Sequence, residues 1–132
     1  ALSMLKELKD NSFDVVLCSN YFEHFELDVV RIHLRLIRKV LERNGRLIII
    51  QPNYQICYSH YFDDWTHRSI FSHTSLSDLL EIERFSIVHC RKKFLPFTMK
   101  SRLPIGRILV RMYLYSPIKP FAGQFLLVAT TG

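Results

Sequence analysis

Hydrophobic and polar positions change period several times along the chain, and each change marks an element. Residues 2–8 carry a short helical pattern that ends in the turn formers Lys9-Asp10-Asn11-Ser12. Phe13-Asp14-Val15-Val16-Leu17-Cys18 is rich in β-branched residues and apolar on both faces from Val15 onward. Continuous apolarity is expected of a parallel strand covered on both sides, whereas a half-exposed antiparallel strand alternates. From Leu27 to Arg43 the period becomes helical, with Val30, Leu34, Ile37 and Leu41 as one ridge and Val29, Ile32, Leu36 and Val40 as a second. Asn44-Gly45 stands where a left-handed helix cap belongs, Leu47-Ile48-Ile49-Ile50 is a second fully apolar strand, and Pro52-Asn53 ends it.

Strand, helix and strand in that order predict a βαβ unit, hence an α/β sheet that is mostly parallel with helices on both faces. Downstream, residues 54–73 are aromatic and polar and predict loop with short helix. Residues 75–83 predict a helix capped by Thr74 or Ser75, and residues 85–90 a strand. Residues 97–120 form a proline-punctuated basic stretch with an amphipathic helix over 107–115, and residues 124–130 predict a closing strand.

Composition narrows the class. With 132 residues, 48% of them hydrophobic and 23% charged, the chain has enough apolar surface for a core, which excludes a disordered tract. No stretch approaches the roughly 18 consecutive apolar residues of a membrane helix, and residues 2–9 lack a secretory pattern. Cys18, Cys57 and Cys90 are odd in number and form no CxxC pair, so free buried thiols and a cytoplasmic location are expected. Charge is asymmetric: up to Glu83 there are nine basic and twelve acidic residues, and from Arg84 onward nine basic residues and no acid. Such a tail suits phosphate, anionic lipid or an acidic substrate, although its basic residues are interleaved with apolar ones as in a packed segment.

The order Phe13-Asp14-Val15-Val16, Asn20-Tyr21-Phe22-Glu23-His24, Leu36-Ile37-Arg38-Lys39-Val40-Leu41, Gly45 and Pro52-Asn53 resembles class I S-adenosylmethionine-dependent methyltransferases. Phe62-Asp63-Asp64-Trp65-Thr66-His67 and Phe71-Ser72-His73-Thr74-Ser75-Leu76 resemble the region after the fifth strand in small-molecule branches of that family. Residues 95–104 and Gly123-Gln124 resemble its C-terminal excursion and last strand. The family's glycine-rich turn is missing, the four glycines being Gly45, Gly106, Gly123 and Gly132. The resemblance therefore implies a partial Rossmann-like methyltransferase domain over residues 1–132, the C-terminal half, without the first three strands.

That resemblance implies S-adenosylmethionine as cofactor and methyl transfer to a small-molecule or lipid-linked acceptor. It puts Cys18, Ser19, Asn20 and Phe22 at the cofactor's methionine end and Ala1 and Leu2 beside the adenine. For Ser19 and Asn20 a second reading stays open, in which they only terminate the strand. As general base it implies His67, flanked by Asp63 and Asp64, and then His24. In some relatives a Glu-x-x-Glu-His pattern binds a divalent metal. Here Asn20, Glu23 and His24 could share one face, completed by His60 or His67, but Asn20 replaces a carboxylate and no metal is assigned.

Tyr54, Tyr58, Tyr61, Phe62 and Trp65 are candidates for an acceptor pocket or for ordinary core. The amphipathic helix allows peripheral membrane contact, and nucleic acid is not an expected partner of the enzyme. The alternative function is a non-enzymatic basic module that binds RNA or anionic membrane through the tail.

Overall fold

The computed structural model describes residues 2–96, 107–119 and 121–132. The expected positions of Ala1 and of residues 97–106 lie outside the described residues. Among the described residues five helices and four strands follow one another as α1 (Leu2–Glu7), β1 (Phe13–Ser19), α2 (Leu27–Val40), β2 (Leu41–Pro52), α3 (Tyr54–Cys57), α4 (His73–Ile82), β3 (Ser86–Arg91), α5 (Arg107–Tyr115) and β4 (Gln124–Thr130). Two 3-10 turns, Phe22–His24 and Tyr61–Asp63, lie in the connections after β1 and β2.

The strands form one sheet in the order β1-β2-β4-β3. The predicted βαβ unit is present: β1 pairs parallel with β2, Val16 opposite Leu47 and Cys18 opposite Ile49. β4 then inserts antiparallel between β2 and β3. One pairing of the three is thus parallel, and β1, β2 and β3 run the same way with β4 against them.

Residues opposite one another share a face. Cys18, Leu47, Ile49, Phe125, Leu127 and Ala129 pack with Val30, Leu34 and Ile37 of α2 and Leu76 and Leu80 of α4 in one buried cluster. The helical ridge read from the sequence is therefore the ridge that docks. Val15 and Leu17 on the other face remain 49% and 61% exposed, with Ile48, Ile50, Leu126 and Val128 only half-buried beside them.

Helix α2 ends three residues earlier than predicted. Leu41 turns extended (φ −70°, ψ 138°) and starts β2, and Asn44 adopts φ 63° inside that strand instead of capping the helix. The register consequently slips between Phe13↔Leu41 and Val15↔Arg46. Gly45 is needed for close approach, because a Cβ there would lie 2.8 Å from the Glu42 carbonyl oxygen.

Helix α4 starts earlier than predicted, and its cap is Ser72. The Ser72 side chain accepts from the Ser75 amide and the Ser75 hydroxyl accepts from the Ser72 amide, a reciprocal capping box. At the other end of α4, buried Glu83 accepts from Arg31 Nε at 2.6 Å and Arg35 Nε at 2.7 Å, tying α4 to α2. Among the three thiols Cys18 and Cys57 are buried as expected, whereas Cys90, on edge strand β3, is exposed.

Candidate functional site

In open α/β sheets ligands approach the carboxyl ends of parallel strands, where loops diverge and backbone groups are not used by the ladder. Here that edge holds Ser19 and Asn20 after β1, Pro52 and Asn53 after β2, Arg91 at the end of β3, and the beginning of β4 at Gln124. Asn20 leaves the strand in the left-handed region (φ 47°), a conformation short polar side chains tolerate. Its amide donates to Ile50 O at 2.8 Å, and its Oδ1 accepts from Gln124 Nε2 at 3.0 Å, a bond between residues 104 apart in sequence. Ser19 and Asn20 are exposed at this edge.

The other residues read as cofactor contacts are placed differently. Cys18 points into the core, where burial pushes its thiol up to about 12, so only its backbone belongs to the edge. Phe22 is fully buried in the same core and is not an exposed apolar wall. Leu2 opens α1, the helix packed on α2.

The connection after β2 folds back over the turn after β1. The Glu23 carbonyl accepts from the amides of Arg68 (2.7 Å) and Ser69 (3.1 Å), and the Ser69 hydroxyl donates to Phe25 O at 2.6 Å. Fully buried Tyr61 donates its hydroxyl to Ser69 O at 2.6 Å, and its ring lies between Tyr54 and His67. These bonds bring His67 from one loop against His24 from the other, ring centroids 5.2 Å apart. The two histidines read as general-base candidates are neighbours.

Their hydrogen bonds orient them. His67 Nδ1 lies 2.6 Å from Tyr61 O, an acceptor only, so Nδ1 carries a proton and in the neutral ring Nε2 is the atom with the lone pair. His24 Nδ1 lies 2.9 Å from Thr66 Oγ1. That hydroxyl donates to Asp64 Oδ1 at 2.5 Å, so it accepts from His24 and leaves His24 Nε2 unprotonated as well. The Asp64 carboxyl is held below its usual range by the bonds from the Thr66 hydroxyl and amide.

Beneath the histidines lies Glu23, 1% exposed, with neither carboxylate oxygen hydrogen-bonded. Burial pushes this carboxyl up to about 7. Glu23, His24 and His67 each offer a ligand atom, all within 4.8 Å of one another. Asn20, paired with Gln124, is not among these atoms, and exposed His60 pairs instead with Asp63 at 3.1 Å.

The aromatic residues divide. Tyr61 is core, Tyr54 is half-buried, and Tyr58, Phe62 and Trp65 are exposed at 65%, 54% and 82%. None of the five lines the cleft of about 500 Å³ formed by Ile56, Cys57, His60, Pro96, Phe121, Ala122 and Gly123. Thr66, the Tyr61 carbonyl and the Gln124 amide were not identifiable as site groups from residue type. The one local signal is Asp64-Trp65-Thr66, an Asx-turn spacing that the structure uses.

Comparison with known proteins adds an independent line. Residues 1–49 match a family model described as a methyltransferase domain. An uncharacterised protein of Methanocaldococcus jannaschii is 33% identical over 91% of this chain, which spans 54% of that relative's length. Among solved structures, a SAM-dependent methyltransferase from Archaeoglobus fulgidus superposes with a TM-score of 0.69 at 19% identity, covering 98% of this chain and 64% of that one. A SAM-dependent methyltransferase of Thermotoga maritima, described as a possible histamine N-methyltransferase, gives 0.66 at 20% identity over 96% of this chain and 59% of that one. The 1,6-didemethyltoxoflavin-N1-methyltransferase of Burkholderia thailandensis, solved with 1,6-didemethyltoxoflavin and S-adenosylhomocysteine, gives 0.60 at 18% identity over 96% and 47%.

Proposed function

We propose that this chain belongs to the class I S-adenosylmethionine-dependent methyltransferase family, a reading supported by the methyltransferase-domain match over residues 1–49 and by the shared fold, and that it serves methyl transfer from S-adenosylmethionine to a small-molecule or lipid-linked acceptor. We take residues 1–132 as the C-terminal part of the catalytic domain, a reading supported by the 54% share of the curated relative's length. The observation that carries the proposal is the parallel β1-α2-β2 unit, whose carboxyl ends expose Ser19 and Asn20 within a few residues of the Glu23, His24 and His67 cluster.

The residues present fit one wall of a donor site. Polar, exposed Ser19 and Asn20 front the edge, and Gln124 holds the Asn20 side chain in place. Cys18 contributes backbone, and buried Phe22 supports the turn from below. We assign Ala1 and Leu2 to the adenine side. When bound, the cofactor supplies an electrophilic methyl on a sulfonium.

This chain's part is to orient the acceptor in line with that methyl and to remove its proton. His67, with Nδ1–H anchored on Tyr61 O, presents Nε2 for that purpose, and His24, anchored through Thr66, is the second acceptor atom. We place the protein in the cytoplasm, consistent with its buried free thiols.

A lipid-linked acceptor is favoured by α5. Ile108, Met112 and Tyr115 form an apolar ridge 63–83% exposed, and exposed Arg107 and Arg111 share the helix. Apolar residues on a basic helix suit an anionic membrane surface better than they suit RNA. Among the described residues no helix is long and apolar enough to cross a membrane.

The test is calorimetric titration of S-adenosylhomocysteine into residues 1–132 and into the longer protein that includes them. Binding by the longer protein, lost on Asn20→Ala together with Ser19→Pro, is the expected result. Absence of binding to the longer protein refutes the proposal. Sedimentation with phosphatidylglycerol vesicles, weakened by Met112→Glu and by salt, tests the membrane approach.

A further inference from the structure

We infer that a cleft between the end of β3 and the end of α5 holds the phosphate group of a lipid-linked molecule, with Arg91, Lys93 and Lys119 as its cations. The cleft has a volume of about 580 Å³, and its apolar walls are Leu114, Pro117 and Ile118. No acid lines it, and none occurs in the chain from Arg84 onward. Three like charges around one cleft repel one another, and a bound anion relieves that repulsion. A phosphate monoester carries about −1.5 to −2 at pH 7 and three acceptor oxygens, which suits three cations better than the single charge of a carboxylate does.

The cationic groups are fixed from both sides. Arg91 and Lys93 are exposed, and among the described residues neither side chain has a partner, so both are free for a ligand. Guanidinium meets phosphate as a two-pronged donor and ammonium as a point charge. Half-buried Lys119 donates to the carbonyls of Tyr113 and Leu114, the latter at 2.8 Å, which holds its ammonium at the cleft wall with a third N–H left over. The turn before it is closed by Ser116, whose hydroxyl donates to Ile118 O at 2.8 Å and accepts from the Ile118 amide at 3.2 Å. On the other wall Asn53 Nδ2 donates to Lys92 O at 3.2 Å and the Phe94 amide to Gln124 O at 2.8 Å, so Lys93 sits between two anchored neighbours.

Ser19, Ile50, Leu126 and Arg91 stand in register across the four strands. Arg91 is therefore three strand spacings, about 14 Å, from the donor edge at Ser19. That the phosphate belongs to the methyl acceptor, which would span this distance, rests on the methyltransferase reading above. Tyr115 lines the cleft and also belongs to the exposed ridge of α5 with Ile108 and Met112. The cleft thus adjoins the surface assigned to the membrane, and its apolar walls suit a hydrocarbon chain next to the phosphate, which favours a lipid phosphate over a soluble ester.

Calorimetric titration of inorganic pyrophosphate into the longer protein tests the site, and flotation with phosphatidylcholine vesicles containing phosphatidic acid tests the lipid source. The expected result is one equivalent of pyrophosphate that S-adenosylhomocysteine does not displace. Arg91→Gln and Lys93→Gln should each weaken it about tenfold or more, as loss of one hydrogen bond to a charged group implies. Both residues are exposed, so these variants keep the fold by circular dichroism, and Arg43→Gln, near the start of β2 at the opposite edge of the sheet, leaves the affinity unchanged. Flotation should depend on Arg91 and exceed that with phosphatidylglycerol vesicles of equal charge. No binding of pyrophosphate, affinity unaffected by either cleft variant, an equal loss with Arg43→Gln, or displacement by S-adenosylhomocysteine overturns the inference. Binding of pyrophosphate and glycerol 3-phosphate without flotation overturns the lipid source and assigns a soluble ester. S-adenosylhomocysteine binding that survives failure of the phosphate site leaves the methyltransferase reading standing, and the converse result strikes only that reading.

Discussion

Glu83→Gln tests whether the contact between α2 and α4 is electrostatic. The Glu83 carboxylate is 5% exposed and bridges two guanidinium groups, whose side chains are 39% (Arg31) and 58% (Arg35) exposed. A hydrogen bond to a charged group contributes about 1.5–3 kcal/mol net. Three such bonds, the third from Arg35 Nη2 at 3.3 Å, would set the upper range, but both arginines can return to water and glutamine still offers one oxygen. The expected loss is therefore about 1–2 kcal/mol, below the ~3–5 kcal/mol of a fully buried broken pair. With an unfolding entropy of about 2.1 cal/mol/K per residue, 1 kcal/mol corresponds to roughly 3.6 °C for this chain, so Tm should fall by about 4–7 °C at pH 7.

The pH dependence carries a definite sign. The arginine bonds hold the Glu83 carboxyl below its ordinary range. Its stabilisation is full above the unfolded value of about 4.3 and is lost as pH falls through the lower folded value. The gap between parent and variant, followed by thermal circular dichroism, should therefore close as pH drops from 5 towards 3. A gap that persists unchanged at pH 3, or no gap at pH 7, refutes the assignment.

Other perturbations read separate parts of the fold. Ser72→Ala removes the capping box of α4 and should cost about 1 kcal/mol in urea unfolding, with the parent value restored by Ser72→Asp. Gly45→Ala drives a methyl against the Glu42 carbonyl and should cost about 1–3 kcal/mol by the same measurement. A thiol reagent should label Cys90 promptly in the folded protein and reach Cys18 and Cys57 only after denaturant, as counted by mass spectrometry.

Periodicity alone determined the elements. Val30, Leu34 and Ile37 announce α2 and its docking face, while Leu41, next on the same ridge, turns extended and opens β2; the apolar runs at Val15 and Leu47 announce the parallel pair. The pairing of His24 with the connection after β2 was only half legible. Residue type marked His24 and His67 as candidates, but their approach depends on backbone bonds from Arg68 and Ser69 to the Glu23 carbonyl, and a carbonyl has no signature in sequence.

The same limit explains what was misplaced. Apolar β1 reads as covered on both faces, yet coverage is set by neighbours: Val15 and Leu17 are exposed because α2 and α4 both lie on the other face. Asn44-Gly45 reads as a helix cap because the local conformation is the same one, left-handed, that the bulge inside β2 requires. Local chemistry specifies a residue's backbone state and the spacing of its faces. Which side chains share a site, and which protons they keep, is decided by long-range hydrogen bonds such as Gln124 to Asn20, because only the assembled sheet brings those donors and acceptors into range.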